Sequence, residues 1–104
     1  MSQPSFINSF SQLVALDPTT TALVVIDMQN ATGNRSMGLG KLLAEQGQAA
    51  QADYRFSRIE DLLVPNIQRL LATFRQGAGH VIYITYGANL ADASDAPAHM
   101  APII

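Results

Sequence analysis

The chain has 104 residues, of which 48% are hydrophobic, and its formal net charge is −2. A chain of this length is expected to form at most one domain with a thin core. Its 6 basic and 8 acidic residues are scattered, which predicts neither a nucleic-acid-binding face nor a basic membrane-binding helix. There is no cysteine, and this excludes disulfides, thiolate zinc sites and a thiol nucleophile supplied by these residues.

Signals for a membrane or for export are also missing from the sequence. No apolar run approaches the roughly 20 residues that a membrane-spanning helix needs. The N-terminal stretch MSQPSFINSF lacks the basic-then-apolar order of a signal peptide. The sequence therefore predicts a soluble, cytoplasmic protein.

The first predicted strand is Ala22–Ile26, which is apolar without alternation and ends in three β-branched residues. This pattern is typical of a parallel strand that is buried on both faces. The strand is followed at once by Asp27. In open parallel sheets, ligands bind beyond the carboxyl ends of the strands. Asp27 is therefore either a catalytic acid held at a strand end or an ordinary cap of the following turn.

The segment 31–55 is predicted to be a long, glycine-containing loop with one or two helical turns around residues 41–45. Connections of this length inside a domain are usually functional or mobile. The stretch GNRSMGLGK is not a phosphate-binding loop, because Arg35 and Leu42 stand where that motif needs Gly and Ser or Thr. Its glycines are interpreted as loop hinges. No metal site is expected, since His80 and His99 lack ligand spacing with the nearby acids.

The clearest predicted helix precedes the second strand. Its apolar residues recur at steps of three and four and form one stripe that is expected to pack on a sheet face: Ile59, Leu62, Leu63, Ile67, Leu70, Leu71 and Phe74. Ser57 with Glu60 fits a capping box, and Gly77 fits a helix stop. Pro65 predicts either a kink or a break, with one helix ending at Val64 and another starting at Pro65.

The second predicted strand covers residues 81–86. Strand, helix and strand together predict a right-handed crossover, with the two strands adjacent and parallel. Residues 88–104 are predicted to be an irregular tail. Burial is expected, in the assembled protein, for the main apolar residues of both strands and the helix: Val24, Ile26, Leu63, Ile67, Leu70, Leu71, Ile82 and Ile84.

Two stretches carry a resemblance to a known family. ALVVIDMQN, followed by VPNIQRLLATFRQGAGHVIYITYG, resembles the N-terminal half of the isochorismatase-like hydrolases, a superfamily that includes nicotinamidases and N-carbamoyl amide hydrolases. The resemblance covers residues 20–87. It implies an α/β fold that is part of a three-layer, doubly wound parallel sheet, of which this chain supplies about two strands and one main helix. Residues 1–104 would then be a single incomplete domain.

The resemblance also implies a site. The family uses an Asp, Lys and Cys triad, and Asp27 stands at the position of the proton-transferring acid. Gln29 belongs to the same motif and is expected either to line the substrate pocket or to point away into a turn. The family's Lys and Cys would lie beyond Ile104, and the single lysine, Lys41, does not match. No cofactor or metal is expected.

Three functional interpretations remain open at this point. The first is the N-terminal portion of an isochorismatase-like hydrolase acting on a small carboxylate, amide or enol ether, with these 104 residues alone inactive in thiol-dependent hydrolysis. The second is a non-catalytic remnant that associates with another chain through its sheet edges. The third is an unrelated α/β ligand-binding module. Open strand edges predict a homo-oligomer or association with a complementing segment, and no nucleic-acid or membrane partner is expected.

Overall fold

Two parallel strands and the helices between them dominate the part of the chain that the computed structural model describes, residues 6–104. The first five residues, which belong to the stretch where no signal peptide is expected, lie outside the described residues. In chain order the elements are a 3-10 helix Phe6–Phe10, β1 Ala22–Ile26, α1 Asn30–Gly33, α2 Gly38–Glu45, α3 Ala49–Arg58, a π-helical segment Ile59–Leu63, α4 Val64–Gln76, β2 His80–Ile84 and a 3-10 helix Ala101–Ile103.

The sheet has the predicted order and direction. β1 and β2 pair in parallel, with Ala22 opposite His80 and Ile26 opposite Ile84. α4 contacts both strands, as expected of the helix in a crossover connection. The protein is therefore α/β with a parallel sheet, as the sequence predicted, although the two strands alone do not define a larger fold.

The helix before β2 passes through Pro65 without a break. α3, the π-helical segment and α4 follow one another without interruption, and the Val64 N–H donates to the carbonyl of Ile59, five residues earlier. Proline has no N–H, and its ring clashes with the carbonyl of the preceding turn in a regular α-helix. A wider turn just before Pro65 accommodates both restrictions. The predicted stop at Gly77 is confirmed, and its N–H donates to Thr73 O over 3.1 Å.

Three local predictions before this point are wrong, although the helical turns predicted around residues 41–45 are confirmed by α2. Residues 31–55 are not a long loop, because α1, α2 and most of α3 lie there. Ser57 does not cap a helix, since α3 begins at Ala49 and Ser57 lies inside it. Gly38 and Gly40 are part of α2 rather than loop hinges, and a side chain at Gly40 would overlap the backbone oxygens of Asn34 and Arg35. The glycine lets two consecutive segments approach more closely than any other residue would allow.

The apolar core of the described residues is small. It contains Val25, Phe56, Ala93 and Ile103, and Phe56 is the most deeply buried large side chain at 2% exposure. Val25 faces α4, and it lines one cavity together with the α4 residues Ile67 and Leu71. Because side chains alternate along a strand, the next residues, Val24 and Ile26, face the opposite side of the sheet.

That opposite face is open in the single chain. The register places Val24 beside Ile82 and Ile26 beside Ile84, and their exposures range from 42% to 58%. The burial expected of these four residues and of Leu63 and Leu70 is therefore absent from this single chain, while Ile67 and Leu71 are half-buried. The physical reason is that one helical layer covers only one face of a sheet.

The overall dimensions agree with an incompletely covered sheet. The radius of gyration is 18.4 Å, compared with about 13 Å for a compact domain of this length. Among residues 6–104, no helix has both the length and the apolar character needed to cross a membrane.

Candidate functional site

Asp27 lies at the carboxyl end of β1. Its N–H donates to Ile84 O over 2.8 Å, which continues the strand pairing by one bond. Its φ is +58°, in the left-handed region that few non-glycine residues adopt, although Asp does so more readily than most. With this backbone conformation the chain leaves the sheet at Asp27, the residue that the sequence analysis named as the candidate acid.

Asp27 is exposed to solvent and lines two cavities. One has a volume of about 360 Å³ and is lined by Asp27, Gln29, Tyr86 and part of the C-terminal tail. The other has a volume of about 450 Å³ and lies between Asp27 and the end of α3. A turn cap would instead bond the carboxylate to the N–H of Gln29 or Asn30, and no such bond occurs in the described part of the chain.

Gln29 connects the two strand ends. Its Nε2 donates to Tyr86 O over 2.6 Å, and its Oε1 accepts from the Tyr86 N–H over 2.9 Å. The side-chain amide thus imitates one more backbone pair of the sheet, because it offers a donor and an acceptor side by side. Gln29 also lines the cavity beside Asp27, so the structure places it at the candidate site with its amide already engaged.

Sequence reasoning missed the two arginines of this site. Arg55 lines both cavities that contain Asp27, and Arg58 lines one of them. Residues three apart on a helix share a face, so the spacing in RFSR would have placed them together once α3 was recognised. Arg55 was missed because residues 31–55 were interpreted as a loop, and without Arg55 nothing in the sequence related Arg58 to the site.

A third arginine has a structural role. Arg35, in the turn between α1 and α2, donates to both carboxylate oxygens of Glu60 over 2.9 and 3.2 Å and to Asp53 over 2.8 Å. The hydrogen bonds to Glu60, and to a smaller extent the bond to Asp53, raise the pKa of the Arg35 guanidinium above its ordinary value. The guanidinium also lies 5.8 Å from the ring centroid of Phe56. This cluster fixes the segment after β1 against the long helix.

The tail returns to the same end of the sheet. Residues 88–96 fold around Asp95, whose carboxylate accepts the N–H groups of Asn89 over 2.8 Å and Leu90 over 3.3 Å. The bond from Asn89 is the main cause of a lowered pKa at Asp95. Further along, Met100 and Ile103 line the cavity beside Asp27. The tail predicted to be irregular therefore has few regular elements but supplies apolar walls to the site.

The single lysine is not part of this site. Lys41 lies on α2 and lines a separate cavity of about 440 Å³ with Glu45, without Asp27. The structure thus brings together Asp27, Gln29 and the unpredicted Arg55, but not Lys41. Comparisons with models of protein families, with curated proteins and with solved structures find no match to this chain.

Proposed function

We propose that these residues are the N-terminal portion of an isochorismatase-like hydrolase, with Asp27 as the proton-transferring acid and base. The substrate is a small carboxylate, amide or enol ether. The complete sheet is doubly wound and receives its remaining strands from a complementing segment. That segment also supplies the lysine and the cysteine, since these 104 residues contain no cysteine.

The observation that carries this proposal is the position of Asp27. It follows a parallel strand, adopts a left-handed φ of +58° and lines a cavity together with Tyr86, just beyond the neighbouring strand. Ligand sites in open α/β sheets lie at this edge. Ala78 and Ala93 share the left-handed φ, so the place of Asp27 at the strand end and in the cavity supports the assignment, and its backbone conformation alone does not.

The proposed chemistry follows from that place. Asp27 accepts the proton of the attacking thiol, and the resulting thiolate forms a bond to the substrate carbonyl carbon. Asp27 then returns the proton to the leaving group as its bond to that carbon breaks, which leaves the acyl group on the sulfur. Water attacks this thioester carbon and gives its proton to Asp27, and the carbon–sulfur bond breaks as the sulfur takes that proton back. An enol ether has no carbonyl carbon; there Asp27 protonates the double bond and takes a proton from the water that adds, and the hemiketal so formed releases the alcohol. The lysine stabilises the negative charges at the site, and backbone N–H groups bind the oxyanion. Within this chain, Gln29 holds the two strand ends in register so that Asp27 keeps its position.

Replacement of Asp27 by Asn tests the assignment in the hydrolase that contains these residues together with the complementing segment. Asn keeps the shape and tolerates the left-handed backbone, but it cannot accept the proton. Turnover is expected to fall at least about 100-fold, the lower range for the loss of general acid–base catalysis. Thermal stability is expected to change little.

The matched control is Asp61→Asn, which removes the same charge from an exposed position in the π-helical segment. Its turnover is expected to stay within a few-fold of the unsubstituted enzyme. Asp27→Asn turnover within the same few-fold range would contradict the proposal. Robust thiol-dependent hydrolysis by the 104-residue chain alone, verified by intact mass, would contradict the placement of the nucleophile outside it.

The open sheet face favours a second candidate function, association with another polypeptide. Val24, Ile26, Ile82 and Ile84 form a contiguous, exposed, β-branched patch, and such patches mark interaction surfaces. The occupant is a second copy or the complementing segment. Sedimentation of the 104-residue chain distinguishes these: a stable dimer supports self-association, and a monomer that binds a complementing segment supports the hydrolase. A monomer that binds neither contradicts this candidate.

A further inference from the structure

The two cavities beside Asp27 meet at a common set of residues. Both are lined by Asp27, Thr32 and Arg55, and their volumes are about 360 and 450 Å³. These volumes lie within the range of roughly 300–1000 Å³ that small-molecule sites occupy. A small ligand in either cavity would therefore lie beside both Asp27 and Arg55.

Arg55 has most of its binding capacity free. Its Nη2 donates to Thr32 O over 3.2 Å, and no carboxylate pairs with it among residues 6–104. A guanidinium has five N–H donors in a planar fork. Arg35, only a few residues from Thr32, shows the contrasting arrangement, because Asp53 and Glu60 neutralise it.

A second positive charge lies close by. Arg58 lines the larger of the two cavities, and within the described residues it likewise has no acidic partner. Its guanidinium lies 6.0 Å from the ring centroid of Tyr54, which lines the same cavity. Arg55 and Arg58 therefore bring two positive charges to the lining of this cavity, beside the one negative charge of Asp27.

The rest of the smaller cavity is largely apolar. Met100, Ile103 and Ile104 from the tail line it together with Tyr86. Sites for organic ligands have this composition, an apolar wall with a few polar groups that fix orientation. A ligand that fits both the arginines and the apolar wall carries one anionic group and an apolar body.

We propose that Arg55 is the specificity-determining residue of this site and binds the carboxylate of a small organic monoanion, whose body lies between Asp27 and the apolar tail. The inference rests on the proposed function in that it takes the cavity beside Asp27 as the substrate site. It narrows the substrate to a carboxylic acid whose reacting group is separate from its carboxylate.

The charge arrangement favours a carboxylate over a phosphate. A planar guanidinium and a planar carboxylate form two parallel hydrogen bonds. The Asp27 carboxylate on the same cavity repels a second negative charge, so a dianion gains less from Arg55 than a monoanion does. The site therefore discriminates by both geometry and charge.

A binding experiment on the 104-residue chain tests this inference without requiring turnover. The chain, labelled with ¹⁵N, is titrated with benzoate, with the neutral isostere benzamide and with inorganic phosphate at constant ionic strength. Benzoate is expected to shift the amide signals of Thr32 and Arg55 and to bind at least about 10-fold more tightly than benzamide, as a charge-assisted pair of hydrogen bonds provides. Phosphate is expected to bind more weakly than benzoate.

Three variants complete the test. Arg55→Gln is expected to weaken benzoate binding at least about 10-fold, whereas Arg55→Lys, which keeps the charge but not the fork, is expected to fall between. The matched control is Arg69→Gln, which makes the same change on α4 away from both cavities and is expected to leave the affinity unchanged. The inference would be overturned if Arg55→Gln and Arg69→Gln weakened benzoate binding equally. It would also be overturned if benzoate and benzamide bound with equal affinity.

The same titration separates this inference from the proposed function. Asp27→Asn removes a like charge from the cavity and is expected to tighten benzoate binding, although it abolishes proton transfer. If Arg55 governs benzoate binding while Asp27→Asn leaves turnover intact, the carboxylate site stands and the hydrolase assignment falls. If Asp27→Asn abolishes turnover while Arg55→Gln leaves benzoate binding unchanged, the hydrolase assignment stands and the role of Arg55 is overturned.

Discussion

Phe56 is expected to contribute more to stability than any residue of the apolar stripe on α4. Its side chain is 2% exposed, whereas that of Leu70 is 47% exposed. Phe56→Ala removes a fully buried ring and leaves a cavity, so the free energy of unfolding is expected to fall by about 3–5 kcal/mol. Full burial of a leucine side chain is worth about 1.5–3 kcal/mol. Since about half of Leu70 already contacts water, Leu70→Ala is expected to cost only about 1 kcal/mol.

The assay is urea denaturation monitored by circular dichroism. For each variant, the slope of the free energy of unfolding against urea concentration is compared with that of the unsubstituted chain. An unchanged slope shows that the same surface is exposed on unfolding. Phe56→Leu keeps most of the volume and is expected to cost under about 1.5 kcal/mol, which provides a measurement if Phe56→Ala does not fold. A cost below about 1 kcal/mol for Phe56→Ala would refute the reasoning from burial. A larger loss for Leu70→Ala than for Phe56→Ala would refute the exposed position of Leu70.

Two further predictions concern the backbone. Gly40→Ala places a methyl group against backbone oxygens of the preceding turn, so it is expected to cost at least about 1–3 kcal/mol; Gly33→Ala, with no atom within 4 Å of the new carbon, is the control in the same denaturation assay, and equal costs would contradict the prediction. At Asp95 the folded pKa lies below the unfolded one, mainly because of the Asn89 N–H. The bonds to Asp95 therefore contribute stability above the unfolded pKa of about 3.9, and this is lost as the pH falls through the folded pKa. Faster amide exchange at Asn89 on acidification, corrected for intrinsic rates and absent in Asp95→Asn, is the expected result.

The sequence by itself determined the two strands and the end of the helix between them. Val24, Val25 and Ile26 are β-branched and uninterrupted, so local conformational preference alone favours a strand, although Val25 is the only one of the three that is buried. The apolar spacing on α4 and the stop at Gly77 likewise predicted a helix and its end correctly, although Leu70 is exposed in the single chain. Elements of this kind are predictable because each residue's own preference supports the fold.

Between β1 and Pro65 the sequence predicted helical turns around residues 41–45 and a helix up to Val64, but not α1, the full length of α2 or most of α3. Gly38 and Gly40 lower the intrinsic helix propensity of α2, and the close approach to the turn before it requires Gly40 nonetheless. For α3, the ion pairs of Arg35 with Asp53 and Glu60 join residues 18 and 25 positions apart. Contacts between residues so far apart leave no periodic pattern in the sequence. The capping box assigned to Ser57 was wrong because α3 begins at Ala49.

Some residues of the candidate site could be predicted from the sequence and others could not. Asp27 could be selected from the sequence, because it follows an apolar strand and stands in the stretch ALVVIDMQN that resembles a known family, although its position alone also fitted a turn cap. Its neighbours could not, since Arg55 lies on a helix 28 positions later and Ile103 lies in the tail. Only the tertiary structure brings them to one cavity, because cavities form where separate segments fail to pack fully. Local sequence preference determines where strands and helices form, whereas the distances between their ends depend on how the whole chain packs.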